Sequence, residues 1–492
     1  MKRMLLALVL TAAMAFTLMP SAASAAPAYN TAFTVSVTYQ NVGTAKANTV
    51  VVDFFAEGSS AAISWPVAAL ESGASTSLAI GSVTSISTPF KGSAVLSSDQ
   101  PIVATIVQLD PTGVVRNRPL SNGFSATDGA AKQLVATVLK NMFNSTTYFA
   151  VQNTEAGAID LTVDYYAVGA TTPTFTDHFA NLPASSAHYF DAGKTDGLGT
   201  TFNGSAVVTA KLAGTTTDAK VVVTVDELST TDGGSKSFEG TPAGSDKIFM
   251  PSALCNAFGG QFTAYAVQNA DLVNPVTFEV DYTLVGSTSV IVDGPYTLNG
   301  GGKQSIGGCP KLPAGSNGSA IIKRTAGTGT LVAVGKVGGA NITSAFLGFP
   351  SGSGSANVAL PYVRWSPDSE INTNGRQRAS IAIQNIGDTP ATNVLVKYYD
   401  RDGNLKGTHT LGTIAPGAKI SSNPTAAAGA LDACGRFGMY GANGSTTDCN
   451  TVLFGGGAKV VADTGAQLAV IVRIFTGNPI LAGEDYNGIN IQ

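Results

Sequence analysis

The sequence predicts an all-β protein of four tandem β-sandwich domains behind a cleaved signal peptide. Three observations predict it. Four markers recur in one order at a near-constant period, and each copy is a series of short runs rich in Val, Ile, Thr, Tyr and Phe, split by Gly, Asn, Asp, Ser and Pro clusters. The third is that no long helical period follows the first 25 residues.

The first marker is Gln-Asn, at Gln40-Asn41, Gln152-Asn153, Gln268-Asn269 and Gln384-Asn385. Intervals of 112, 116 and 116 residues separate the copies, and the apolar residues Leu70, Leu182, Leu298 and Ile414 keep the same intervals. Between these two lies a strand-like run ending in aromatics: Val50 to Phe55, Leu161 to Tyr166, Phe278 to Tyr282, and Val394 to Tyr399. The fourth marker is Gly92-Ser93-Ala94, repeated at Gly204-Ser205-Ala206 and Gly318-Ser319-Ala320 and altered to Gly456-Gly457-Ala458 in the last copy. Strict alternation at Phe33, Val35, Val37 and Tyr39 is that of a strand with one buried face.

Lys2 and Arg3, the apolar run Met4 to Met19 and the small residues Ala23-Ser24-Ala25 read in order as a secretory signal peptide, residues 1–25. The run is shorter than the roughly 20 residues a bilayer requires, and no transmembrane segment is expected after cleavage near Ala26. The four domains are expected at 26–127, 128–243, 244–355 and 356–492. Asp128-Gly129-Ala130, Gly240 to Gly244 and Ser351 to Ser355 serve as linkers. Copies 2 to 4 place a strand-like segment about 20 residues ahead of Gln-Asn, and copy 1 is expected to lack this first strand because cleavage removes it.

Charged residues are 12% of the chain and hydrophobic ones 44%, so cores form readily and the polar exterior is left to Ser, Thr, Asn and Gly. A net charge of −4 carries no basic stripe, which excludes nucleic acid as the expected partner.

Ile381 to Gly387, followed by Pro390 to Tyr399, resembles the central hairpin of bacterial immunoglobulin-like domains of the cell-adhesion-related (CARDB-like) type. Val37 to Gly43 with Thr49 to Phe55 is similar, and the later turn Pro416-Gly417 is also comparable. The resemblance covers about half of each copy. It implies an immunoglobulin-like sandwich from extracellular bacterial proteins and brings no catalytic residues with it. Copy 3 departs from the pattern with Asn269-Ala270-Asp271, so a longer turn is expected there.

No catalytic or cofactor site is expected. His178, His188 and His409 lack ligand spacing and read as surface loop histidines. Asp53, Asp164 and Asp281 recur, but Lys397 takes their place in copy 4, which marks a solvated strand face. Asp400, Asp402 and Asn404 in Asp-Arg-Asp-Gly-Asn have the alternation that opens a calcium loop. The other copies hold plain hairpin turns there and no bidentate Glu follows, so this stays a weak calcium candidate. Two cysteines fall in each of copies 3 and 4, which predicts disulfides Cys255–Cys309 and Cys434–Cys449, the second flanking an insertion from Gly435 to Asp448. Asn144, Asn203, Asn317, Asn341 and Asn443 open Asn-x-Ser/Thr triplets that read as turns. Tyr165-Tyr166, Tyr398-Tyr399, Trp65 and Trp365 could stack on sugars, although one Tyr of each pair should be core.

The functional expectation is a secreted, non-catalytic structural protein of the cell surface, a surface-layer or filament subunit assembling through sheet edges. The alternative is an adhesin or carbohydrate-binding surface protein. Expected partners are further copies of the chain, with glycans or cell-wall polymer as the other class. The incomplete edge of copy 1 could accept a neighbour's C-terminal residues, Ile489 to Gln492.

Overall fold

Alternating apolar residues drive short strands, and a computed structural model shows how they pair. It describes residues 29, 31–112, 114–231, 233–339, 342–371, 376–440, 453–476 and 482–491. In sandwich 1, β1 (Thr34–Asn41), β2 (Val50–Ala56), β3 (Ala62–Val67), β4 (Ser75–Ala79), β5 (Gly92–Ser98), β6 (Ile102–Leu109) and β7 (Leu120–Asn122) form sheets ordered β4-β1-β6-β7 and β3-β2-β5.

Sandwich 2 contains β8 (Lys132–Lys140), β9 (Ser145–Asn153), β10 (Ile159–Ala167), β11 (Phe175–Leu182), β12 (Ala187–Asp191), β13 (Phe202–Leu212), β14 (Val221–Ser229) and β15 (Ser235–Glu239). Its sheets run β12-β9-β14-β15 and β11-β10-β13-β8. Sandwich 3 repeats the plan with β16 (Lys247–Cys255), β17 (Phe262–Asn269), β18 (Val276–Leu284), β19 (Val290–Leu298), β20 (Lys303–Gly307), β21 (Ser316–Gly327), β22 (Leu331–Gly338), β23 (Ser344–Leu347) and β24 (Phe349–Pro350). Its sheets run β20-β17-β22-β23 and β19-β18-β21-β16-β24.

Sandwich 4 has β25 (Asn357–Leu360), β26 (Gln377–Asn385), β27 (Ala391–Tyr399), β28 (Leu405–Ile414), β29 (Lys419–Ser422), β30 (Met439–Tyr440), β31 (Leu453–Phe454), β32 (Gly457–Val461), β33 (Leu468–Thr476), β34 (Ala482–Asn487) and β35 (Ile489–Asn490). The sheets are β29-β26-β33-β34 and β28-β27-β32-β25-β35, with β30 and β31 paired apart from them. Four antiparallel sandwiches in tandem are what the repeat predicts.

The first two markers are two ends of one hydrogen bond. Asn41, Asn153, Asn269 and Asn385 are fully buried. Their Nδ2 groups donate to the carbonyls of Leu70 (2.9 Å), Leu182 (3.0 Å), Leu298 (3.4 Å) and Ile414 (2.8 Å). Each also closes its own turn by donating to Ala45, Gly157, Asn274 or Thr389. In copy 3 this second acceptor lies one residue farther along, so the turn there is the longer one expected. A buried amide that satisfies two carbonyls fixes both loop and strand, which explains why the pair stays in phase.

The four sandwiches close into a ring. β7 packs on β15, β15 on β23, β23 on β34, and β34 returns to β7, so the last strand of the first-named sheet of each sandwich lines a central axis. The connecting segments are tied down: Ala130 bridges Val221, Ser245 bridges Leu331 and Ser355 bridges Leu468. Ile489–Asn490 pairs with Ala359 and Val358 of β25, which corrects the expectation of a free donor tail. Those residues complete their own sandwich, as Phe349–Pro350 does beside β16, and Gln492 lies outside the described residues.

Candidate functional site

Recurrent polar residues are the natural place to look for chemistry, and here they meet at the seams between sandwiches. The hydroxyls of the Gly-Ser-Ala marker each donate to a turn carbonyl of the following sandwich. Ser93 reaches Ser185 O (2.6 Å), Ser205 reaches Gly301 O (2.8 Å) and Ser319 reaches Gly417 O (3.0 Å). In two seams the recurrent glutamine of the receiving sandwich holds the same oxygen, Gln152 on Ser185 (3.2 Å) and Gln384 on Gly417 (3.1 Å).

At the closing seam the polarity reverses. Gly457 replaces the serine in copy 4, and the main-chain N–H of Gly456 donates instead to Ser75 Oγ of sandwich 1 (2.7 Å). The preceding glycine of the marker also has a local cause. A Cβ on Gly92, Gly204 or Gly318 would lie 2.0, 2.1 or 2.3 Å from a carbonyl oxygen of the neighbouring strand.

Two lysines, Lys303 buried and Lys419 half-buried, reinforce the seams. Lys303 of sandwich 3 donates to Asn203 Oδ1 of sandwich 2 (2.6 Å), and Lys419 of sandwich 4 donates to Asn317 Oδ1 of sandwich 3 (2.8 Å). Burial pushes both ammonium groups down to about 7, with Lys336 opposing the charge at Lys303 and Arg473 at Lys419. Asn203 and Asn317 thus act across seams rather than only in turns. Asn144 sits at positive φ in an exposed turn, and Asn341 and Asn443 lie outside the described residues.

The second aromatic of each tyrosine pair also belongs to a seam. Tyr165 and Tyr398 are core, as expected. Tyr166 lies so flat on Gly301 of sandwich 3 that a Cβ there would meet its ring at 2.7 Å, and Tyr399 lies on Gly73 of sandwich 1 (3.3 Å). Trp65 packs among Val52, Phe54 and Val83, and Trp365 is covered by the Arg378 guanidinium 4.7 Å from its ring.

At one end of the axis a single side chain touches all three other sandwiches. Asn117 Nδ2 donates to Ser235 O (2.7 Å), Thr343 O (2.8 Å) and, more weakly, Gly483 O (3.3 Å). At the other end Asn122 Nδ2 donates to Asn487 O (2.7 Å), and Asn487 exchanges bonds with Leu347 (2.8 and 3.0 Å). Carboxyls line the axis between them. Glu239 accepts the Asn122 N–H (2.5 Å), and burial raises its carboxyl from 4.5 to about 7. Burial likewise raises Glu484 to about 8, against the pull of Arg118 and with a push from Asp485. Asp485 is itself clamped by Arg473 through two 2.8 Å bonds.

Sequence reasoning placed the recurrent residues but not Asn117, Asn122 or Glu239, which no copy repeats. The Asp400 carboxylate accepts the N–H groups of Asp402 (3.0 Å) and Asn404 (2.9 Å), closing its own hairpin turn. Asp53 and Asp164 pair with Ser64 and Thr176 across the strand, and Asp281 with Lys323. The three histidines lie in strands rather than in loops: His178 is exposed on β11, His188 of β12 stacks on Phe179 with ring centroids 3.7 Å apart, and His409 of β28 meets Ser422 Oγ (2.9 Å). Cys255 and Cys309 form a disulfide. The Cys434–Cys449 pairing lies outside the described residues because Cys449 does.

Residues 16–115 match the CARDB family model, a span that takes in β1 to β6. Among solved structures, a chain titled "Biofilm associated protein - BSP domain" is 7% identical, with 94% of this chain and 91% of that chain covered. Its TM-score of 0.13 supports no inference about fold or function. No curated protein matches the sequence.

Proposed function

We propose that the protein is a non-catalytic structural building block of the extracellular surface, a ring-shaped unit of a surface layer or filament. The observation that carries this reading is the fate of the recurrent polar groups. The Ser93, Ser205 and Ser319 hydroxyls, which a repeat could keep for ligand binding, join one sandwich to the next. The family match at residues 16–115 and the secretory pattern of the first 25 residues support an extracellular setting. Among the described residues no helix is long and apolar enough to cross a membrane.

A prefabricated ring suits assembly because its internal order is settled before subunits meet, so little conformational freedom is lost on association. Sparse surface charge lowers the repulsion between copies. Negative-stain microscopy of the mature protein across a concentration series tests the reading. Ordered sheets or fibres of ring-shaped units are expected, and isolated rings at every concentration overturn it.

A further inference from the structure

The seams contain one position that is open in a single seam: beside β13, β21 and β32 it holds the sandwich's own first strand, β8, β16 or β25, and beside β5 it holds none among the described residues. In seams 2–3 and 3–4 the first strand of the leading sandwich lies between two surfaces. β8 pairs with β13 and packs on β17 and β22 of sandwich 3, while β16 pairs with β21 and packs on β26 and β33 of sandwich 4. Apart from its first residue, each is buried along its whole length, so both of its faces are used.

In seam 1–2, β5 is paired only with β2 among the described residues. Both walls of the position are accordingly uncovered. On β5, Val95 is 36% exposed and Ala94 and Leu96 are half-buried, whereas Ala206, Val207 and Val208 of β13 are fully buried. On the facing wall Ala150 and Gln152 are half-buried, whereas their counterparts Ala266 and Gln268, and Ala382 and Gln384, are buried. Two independent surfaces are thus open along one line. Tyr29 marks its mouth, donating its N–H to Ser229 O (2.9 Å) and its hydroxyl to Asp191 Oδ1 (2.6 Å) of sandwich 2.

The geometry points to a receptor slot for a strand of a different polypeptide, one that adds antiparallel to β5 and is apolar on both faces. β8 and β16 define the occupant, since they fill the equivalent positions of the same ring: nine residues, with apolar side chains turned both ways. Pro20 to Ala28 contain only Pro, Ser and Ala, so they offer no bulky side chain for the core, and their two prolines cannot donate to a ladder. At the other edge of the same sheet β3 carries Pro66, which blunts that edge against pairing and leaves β5 the receptive edge of its sheet.

This inference rests on the structural reading above and names the contact through which such a unit would hold a partner other than its own copies. The test uses the mature full-length protein and a labelled peptide of the β8 sequence, Lys132 to Lys140. Binding is read by fluorescence anisotropy and by hydrogen exchange of the β5 amides. A second peptide carries Val135→Pro. A self-filled variant carries the β8 sequence inserted between Ala28 and Tyr29, downstream of the cleavage site, so that it stays in the mature chain.

Peptide binding is expected to slow exchange across residues 92–98 at least tenfold. The proline peptide and the self-filled variant should each weaken binding at least tenfold. Failure of the β8 peptide to bind overturns the inference. So does protection of free β5 equal to that of β13: if it persists on dilution the chain's own leading residues occupy the slot, and if it is lost on dilution a second copy does. Peptide binding without ordered assemblies rejects the surface-layer role and leaves the slot standing.

Discussion

Asn117 Oδ1 receives both the main-chain N–H (3.0 Å) and the hydroxyl (2.7 Å) of Ser235, while its Nδ2 group faces carbonyls of three sandwiches. One amide therefore acts as acceptor toward sandwich 2 and donor toward all three partners. Its residue is 3% exposed, so water cannot replace lost bonds easily. Asn117→Ala should destabilise the ring by about 1–3 kcal/mol. Asn117→Asp should be worse, because it sets an acceptor against those carbonyls. Chemical denaturation of both variants checks this, and an Asp variant as stable as wild type would refute the axial role.

Glu239 makes the ring pH-sensitive in a defined direction. Its carboxyl titrates near 7 when folded against 4.5 ordinarily, so between those values the folded chain holds a proton the unfolded chain has released. Stability from this group is full below about pH 4.5, falls as pH rises, and levels off above about 7. Glu239→Gln removes the slope, so the variant should match wild type near pH 4.5 and exceed it by up to about 3 kcal/mol at pH 8. Thermal melts at the two pH values decide it. A constant difference between variant and wild type would assign the effect to packing instead.

The altered marker in copy 4 makes an opposite pair of expectations. Ser205→Ala loses one seam hydrogen bond and should cost about 1 kcal/mol. Gly457→Ser, which restores the consensus of the other copies, should also destabilise. Its Cβ would come within 2.7 Å of Leu360 O and 3.0 Å of the Gln40 amide. Calorimetry of the two variants would show two lowered transitions, and a stabilised Gly457→Ser would contradict the reversed closing seam.

The Cys255–Cys309 bridge ties the end of β16 to the loop after β20, across 54 residues. Sandwich 2 joins the matching regions with a hydrogen bond, Lys140 Nζ to Thr195 O (2.9 Å). Chain entropy assigns a closed loop of this size about 4 kcal/mol. Cys255→Ser with Cys309→Ser should therefore lower the melting of sandwich 3 while leaving the β5 amides of sandwich 1 unchanged in hydrogen exchange. An unaltered melting profile would show that the bridge adds little to the packing already there.

Strands and copies were legible because their signals are local and repeated. Gln384-Asn385 and Ile414 announce a turn and its distant acceptor at a fixed offset, and Val394 to Tyr399 alternate as a strand must. Ring closure was not legible, because the residues that show it pair across sandwiches: Asn117 meets Gly483 at a separation of 366 residues, with no repeated motif around it. Ser205 and Tyr166 were visible as recurrent positions, but a strand pattern does not reveal what lies beyond its outer face. The terminal residues were misjudged for the same reason. Ile489 follows Tyr-Asn-Gly as Phe349 follows Phe-Leu-Gly, but the edge of β25 that receives it is formed 130 residues earlier.

Three of the four seams join sandwiches that follow one another along the backbone, and the seam between sandwiches 4 and 1 does not. Topologically the molecule is a split washer, held shut at its cut by Gly456 on Ser75, by Val107 and Leu120 in the core of sandwich 4, and by Asn122 on Asn487. Tension between the chain's ends loads that cut before any covalently linked joint. Pulling the two ends in a force–extension experiment is therefore expected to part that cut first, with the four modules still folded.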